Sequence, residues 1–231
     1  MKLYNPFRHL SVFERCLWLL SLCVVTVSFF LGGKNGILSL VASLIGVTAL
    51  IFVAKGDVTG QALTVVFSIL YAIVSWDLHY YGEMITYLCM SAPIAAFSVV
   101  SWLRHPYATN RSEVRMVRLK KRDIVITPIL AAAVTAVFFF ILRALGSAEL
   151  GVSTLSVTTS FLAAYLLFLR SPWYALAYAA NDIVLIVLWI IAAANDLSYL
   201  SMVACFVMFL CNDLYGFFNW LKLRKKQDAS L

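Results

Sequence analysis

Charge is what this chain has least of. Asp, Glu, Lys and Arg make up 13% of its 231 residues while 63% are hydrophobic, against roughly 25% charged in a soluble domain. That excludes a water-soluble globular protein and leaves an integral membrane protein. Histidine and cysteine are also sparse, three and five residues. Cys16, Cys23, Cys89, Cys205 and Cys211 all fall in apolar stretches with no CxxC or metal-ligand spacing, so they read as small packing residues. His79, beside Asp77 in a turn, reads as a solvated loop residue, and neither a metal nor a cofactor is expected. HExxH, GxSxG and a Gly-rich phosphate loop are missing. Ser91 and Ser160 have no evident base beside them, so the chain does not read as an enzyme.

Long apolar runs are what the chain has instead. They cover 16–31, 37–54, 59–76, 84–103, 124–146, 152–169, 172–194 and 197–221, each close to the ~20 residues that span a bilayer. The expected fold is all-α, with about eight transmembrane helices and almost no chain left for a soluble domain. Lys2, Arg8 and Arg15 before the first run resemble a signal peptide, yet SFFLGGKNG offers no small-x-small cleavage site, so a retained helix is expected. The net charge of +7 is a matter of topology. With the N-terminus cytoplasmic, all 18 basic residues except Lys34 and Arg143 fall on the inner side, and Asp77, Glu83, Glu149 and Asp196 fall on the outer. This asymmetry obeys the positive-inside rule, puts both termini in the cytoplasm and speaks against a nucleic-acid partner.

The first helix, from about Cys16, is apolar nearly all round and is expected at the periphery. In the third, Gln61, Thr64 and Ser68 share a face; in the fourth, Glu83, Tyr87 and Ser91 form a stripe before Pro93, where a kink is expected. Gly56 and Gly60 make a GxxxG that straddles a loop. Residues 41–104 slide onto 158–222, aligning Tyr81 with Tyr199 and Trp102 with Trp220 and setting Thr64 opposite Asn181. Identities are few, but the order of spans and turns matches, which predicts parallel three-helix repeats. The expected segments are 1–35 (an extra helix), 36–104 (first repeat), 105–150 (basic loop and connecting helix), 151–224 (second repeat) and 225–231 (cytoplasmic tail).

Polar residues at membrane depth are the candidate site. Asn181 and Asp182 interrupt the apolar segment from Ser171 to Trp189, and Asn212 and Asp213 repeat the dipeptide in the next. An ionisable group there costs at least ~3 kcal/mol on insertion scales, so it faces a cavity or a partner. Tyr174, Tyr178, Asn181, Leu185 and Trp189 follow helical spacing, with Asp182 about 100 degrees round. Rings beside amides and carboxylates suit a flat heterocycle bearing hydroxyls. Two other roles remain open: polar locks between helices, or a proton relay through Asp182 or Asp213.

With these features in place, the chain resembles the PnuC family of bacterial vitamin transporters over roughly 36–224. Of the family motif WxxWxxxN, Asn181 matches the Asn, while Tyr174 and Ala177 stand at the two Trp positions. The resemblance implies a SWEET-like 3+1+3 fold preceded by one extra helix. It implies uptake of a nucleoside-like substrate across the bacterial plasma membrane, nicotinamide riboside first and a deoxynucleoside or thiamine-like compound second. It further implies facilitated diffusion, a cytoplasmic kinase as trap, and a homo-oligomer in the bilayer. Asn181, Asp182, Asn212, Asp213 and Gln61, with Thr64, would hold polar groups, and Tyr174, Tyr178 and Trp189 would stack.

Overall fold

The computed structural model describes residues 6–32, 37–77, 81–107, 113–147, 149–195 and 197–229. Lys2, Lys34, His79, Arg111 and Asp196 lie outside them. Among the described residues, eight helices are long and apolar enough to cross a membrane, as the hydropathy pattern predicts. They are α1 (Val12–Gly32), α2 (Ile37–Ala54), α3 (Val58–Asp77), α4 (Tyr81–Arg104), α5 (Lys121–Ala144), α6 (Leu150–Phe168), α7 (Tyr174–Asn195) and α8 (Leu200–Asp228). The start of α1 and the ends of α2 and α8 share one face of the bundle, through Glu14, Lys55 and Tyr215; it is called the terminal face below.

Six helices form a closed ring. Packing runs from α2 to α3, α4, α6, α7, α8 and back to α2, while α5 lies outside against α6 and α1 outside against α2 and α8. Two first-with-third seams, α2 on α8 and α4 on α6, thus close the ring. In the α4–α6 seam the Ser156 hydroxyl donates to Glu83 Oε1 at 3.2 Å, and Glu83 is buried. Buried chains from both halves of the ring, Val47, Phe67, Tyr71, Leu185, Trp189 and Phe206 among them, make one core.

Local chemistry explains three departures from the sequence pattern. The break in α4 is a π-helical stretch, Thr86–Ser91, rather than a simple kink at Pro93. The Ala92 N–H donates to Tyr87 O, five residues back. Proline cannot fill a regular ladder, and widening the turn before it lets the helix continue. The first helix starts at Val12, which brings Glu14 inside, 1% exposed. Lys55 Nζ donates to Glu14 Oε2 at 3.0 Å and the Tyr215 hydroxyl donates to Oε1 at 2.8 Å. Trp18 Nε1 donates to Thr48 Oγ1 at 3.0 Å. This helix is peripheral but bolted across the α2–α8 seam by polar bonds. Only Cys205 of the five cysteines is buried; the others face outward and do not pack the core.

The turns on the terminal face fix the ring's geometry. After α2 and after α6 the chain enters the left-handed region, at Gly56 (φ 71) and Arg170 (φ 60). The next N–H then reaches back five residues, Asp57 to Phe52 O and Ser171 to Leu166 O, a Schellman-type stop. The basic loop is docked on both turns, Val114 N–H to Gly56 O and Val117 N–H to Arg170 O. The C-terminal end of α8 also holds the loop: Gln227 accepts from the Met116 N–H and donates to Val114 O. Gly60 packs α3 on α2 so closely that a Cβ would strike the Val53 backbone nitrogen and lie 2.8 Å from Phe52 C. Gly60→Ala is therefore expected to destabilise by about 1–3 kcal/mol, read as a lower midpoint of thermal unfolding in detergent. An unchanged midpoint would show that the turn relaxes freely.

Candidate functional site

The ring encloses a cavity of about 50 Å³ near the middle of the bundle. Five of the nine residues expected from sequence line it: Thr64, Tyr178, Asn181, Asp182 and Asp213. The remaining lining includes Phe67, Ser68, Tyr87, Ser91, Ser160 and Phe209. The wall pairs off across the ring at a constant separation in sequence: Gly46 with Ser160, Val53 with Leu167, Thr64 with Tyr178, Phe67 with Asn181, Ser68 with Asp182. Tyr87 with Ser91 on α4 and Phe209 with Asp213 on α8 pair at a second constant separation. This register differs by one helical turn from the sequence alignment, which set Thr64 against Asn181. The rings of Phe67, Tyr87 and Phe209 were the part that sequence reasoning missed, and the pairing is the signal that finds them.

Asn181 is held by α6. Its Oδ1 accepts from Thr159 Oγ1 at 2.8 Å and from Ser160 Oγ at 2.9 Å, and the side chain is 2% exposed. The oxygen is thereby occupied, and Nδ2 is the atom left to meet a ligand. Asp182 of α7 and Asp213 of α8, both buried, bring their carboxyl groups side by side in the cavity wall. Asp182 Oδ2 has no partner in the protein. Around these polar groups stand aromatic edges and faces, Phe67 against Tyr87 at 5.7 Å and against Phe209 at 5.6 Å between ring centroids.

The other four expected residues sit elsewhere. Asn212 turns outward, its Nδ2 donating to Ser21 Oγ of α1 at 3.0 Å and to Met208 O at 2.8 Å. It serves as a lock between α8 and α1. Tyr174, fully buried, lies one turn nearer the terminal face than Tyr178, edge-on to Trp220 at 4.6 Å. Gly216 leaves it room, since a Cβ there would meet the Tyr174 hydroxyl at 3.0 Å. Trp220 also packs on Trp102 at 5.7 Å and donates to Val53 O. Trp189 lies toward the opposite face, buried against Tyr199 at 5.7 Å. Gln61 is buried on the terminal-face side of Thr64, and its Nε2 has no partner. Buried rings thus cluster on either side of the cavity: Tyr174, Trp220 and Trp102 toward the terminal face, Tyr71, Phe206 and Trp189 in the core on the other side.

A sequence model of the family described as nicotinamide mononucleotide transporter matches residues 36–222. The chain belongs to this family, PnuC. It is a multi-pass membrane transporter and not an enzyme. It is 28% identical over 216 residues to the nicotinamide riboside transporter PnuC of Neisseria mucosa, across 92% of this chain and 82% of that one. It is 24% identical over 212 residues to the protein of the same name from Haemophilus influenzae, across 91% of both chains. A crystal structure described as the vitamin B3 transporter PnuC superposes with a TM-score of 0.82 at 28% identity, over 94% of each chain.

Proposed function

We propose that this PnuC protein carries nicotinamide riboside across the bacterial plasma membrane by facilitated diffusion, with a cytoplasmic kinase trapping it by phosphorylation. The observation that carries the reading is the Asp182–Asp213 carboxyl pair set in a ring-lined cavity beside the Asn181 amide. Nicotinamide riboside presents a permanently cationic pyridinium, a carboxamide and ribose hydroxyls. A buried acidic pair and the faces of Tyr87, Tyr178 and Phe67 suit the cation, and Asn181 Nδ2 suits a carboxamide or hydroxyl oxygen. The names of the relatives agree with that chemistry.

The reading takes 36–104 and 151–224 as two parallel repeats in a SWEET-like arrangement, flanked by 1–35 and 225–231 and joined by 105–150. Support comes from the constant pairing of cavity residues, the reciprocal α2–α8 and α4–α6 seams, and the like turns at Gly56 and Arg170. Rocking of one triad on the other would open each ring cluster in turn. The basic loop and the end of α8 lie on the terminal face, which supports a cytoplasmic location for both termini. A homo-oligomer completes the proposal, to be read from the mass of the assembly.

Proteoliposomes test it. Labelled nicotinamide riboside is expected to equilibrate across the membrane and to be competed by unlabelled compound but not by thymidine. Preference for thymidine would move the substrate to the deoxynucleosides, and preference for thiamine, also a cation, to that vitamin. Two buried carboxyl groups in one cavity wall favour one second reading, proton coupling through Asp182 or Asp213. Accumulation above equilibrium under an imposed pH gradient would establish it and refute simple diffusion.

A further inference from the structure

Outside the ring, on the seam between α5 and α6, two cavities follow one another. Nearer the terminal face is a cleft of about 340 Å³ lined by Arg118, Lys120, Arg122 and Arg170 over an apolar wall that includes Phe168 and Leu169. Asp123, the carboxylate among its described lining, already accepts the Lys120 backbone N–H at 3.0 Å, and Arg118 is paired with Asp228 at 2.7 Å. Farther along the seam is an apolar groove of about 620 Å³, running past Pro128, Ala132 and Phe139 of α5 and Thr158 and Leu162 of α6. Leu162 of the groove and Leu169 of the cleft are seven residues apart, so they share a face at the helical repeat.

Arg170 is the unusual residue. It holds a left-handed conformation, φ 60, where the like turn after α2 uses Gly56, and non-glycine residues there are uncommon and strained. Its Nε is buried without a protein partner. Burial and the nearby charge of Arg115 together weaken its hold on its proton, which an anion would reverse. A strained, crowded and unsatisfied arginine among other cations is a vacancy for a phosphate group, and the groove beyond is apolar. We propose that the α5–α6 seam binds an anionic phospholipid, its phosphate among Arg122, Lys120 and Arg170 and an acyl chain along Ala132 and Leu162. Basic pockets between helices at a membrane surface recognise such headgroups.

The purified full chain in uncharged detergent tests this by thermal unfolding. Phosphatidylglycerol is expected to raise the midpoint, and phosphatidylcholine of the same chains is not. In R122Q/R170G, where glycine also relieves the left-handed strain and protects the fold, the apparent affinity for phosphatidylglycerol should fall roughly 30-fold. Ala132→Trp, which fills the groove, should remove most of the response while leaving the fold intact. An undiminished response in R122Q/R170G would overturn the headgroup site. Equal stabilisation by glycerol phosphate would make the ligand a free phosphate ester and overturn the lipid. A change in the mass of the assembly with Ala132→Trp, the lipid response intact, would give the groove to a second copy of this chain and overturn the acyl site.

Discussion

Replacing Asn181 with aspartate is expected to weaken substrate binding roughly 10- to 100-fold and to lower stability. It buries a third carboxylate beside Asp182 and Asp213, at a depth where an ionisable group costs at least ~3 kcal/mol. The prediction follows from how the amide is anchored. Thr159 and Ser160 donate into Asn181 Oδ1 at 2.8 and 2.9 Å, and an aspartate oxygen accepts those two bonds equally well. What aspartate lacks is the Nδ2 donor. Losing a buried hydrogen bond and leaving the ligand's acceptor unpaired costs about 1–3 kcal/mol, or roughly 10- to 100-fold in affinity. Asn181→Ala should lose as much binding and cost about 1 kcal/mol in stability, because the Ser160 hydroxyl then lacks its acceptor while Thr159 keeps Leu155 O. Titration of labelled nicotinamide riboside into each purified variant separates the cases. Parental affinity in Asn181→Asp would show that the amide N–H is not a ligand contact and would remove Asn181 from the site.

The contrast between Asn181 and Asn212 shows where sequence is legible and where it is not. Both are amides at membrane depth next to an aspartate, and the cost of burying them announces that each has a partner. It does not say which. Helix α8 is rotated so that Asp213 faces the cavity and Asn212 faces Ser21 of α1, a rotation decided by packing on three neighbours. Hydropathy alone therefore gives eight helices, because length and composition are local properties. The role of α1 was less visible: Glu14 stands before the first apolar run, and only the ring brings Lys55 and Tyr215 to it.

The same reason hid the rings. Phe67 and Phe209 are ordinary apolar letters in a transmembrane segment and Tyr87 stood only in a stripe with Glu83 and Ser91, while their place on the cavity depends on how the ring helices pack. The alignment by identities and the offsets of the cavity residues differ by one turn, since sparse matches in apolar helices fix register weakly. The like turns at Gly56 and Arg170 supply the register, yet one uses glycine and the other arginine, so no shared residue marks them. Tyr174 illustrates the converse. It occupies a motif position, but Gly216 and Trp220 draw it one turn below the cavity into the ring cluster toward the terminal face, where it bears on opening rather than on stacking with a ligand in this conformation.

The acidic pair yields the other large effect. Asp182 and Asp213 are 2% and 3% exposed and lie side by side in the cavity wall. Truncating one, as in Asp213→Ala, opens a void and leaves the other carboxyl without its polar neighbour, which costs about 1–3 kcal/mol. Asp213→Asn keeps a polar neighbour of the same size and is expected to cost less than half as much, measured by thermal unfolding in detergent. Binding should rank the variants differently. The double variant D182N/D213N stays folded but has no acidic group in the cavity, and a pyridinium cation then enters an apolar, ring-lined space against amides alone. Its affinity for nicotinamide riboside should fall about 100-fold or more, because charged hydrogen bonds are worth about 1.5–3 kcal/mol each. A neutral competitor such as thymidine should gain relative to it. If the double variant binds the cation as tightly as the parent, the pair is a lock between α7 and α8 rather than a recognition element. Asp213→Ala would still unfold earlier than the parent in that event, since it leaves the same void beside Asp182 whatever occupies the cavity.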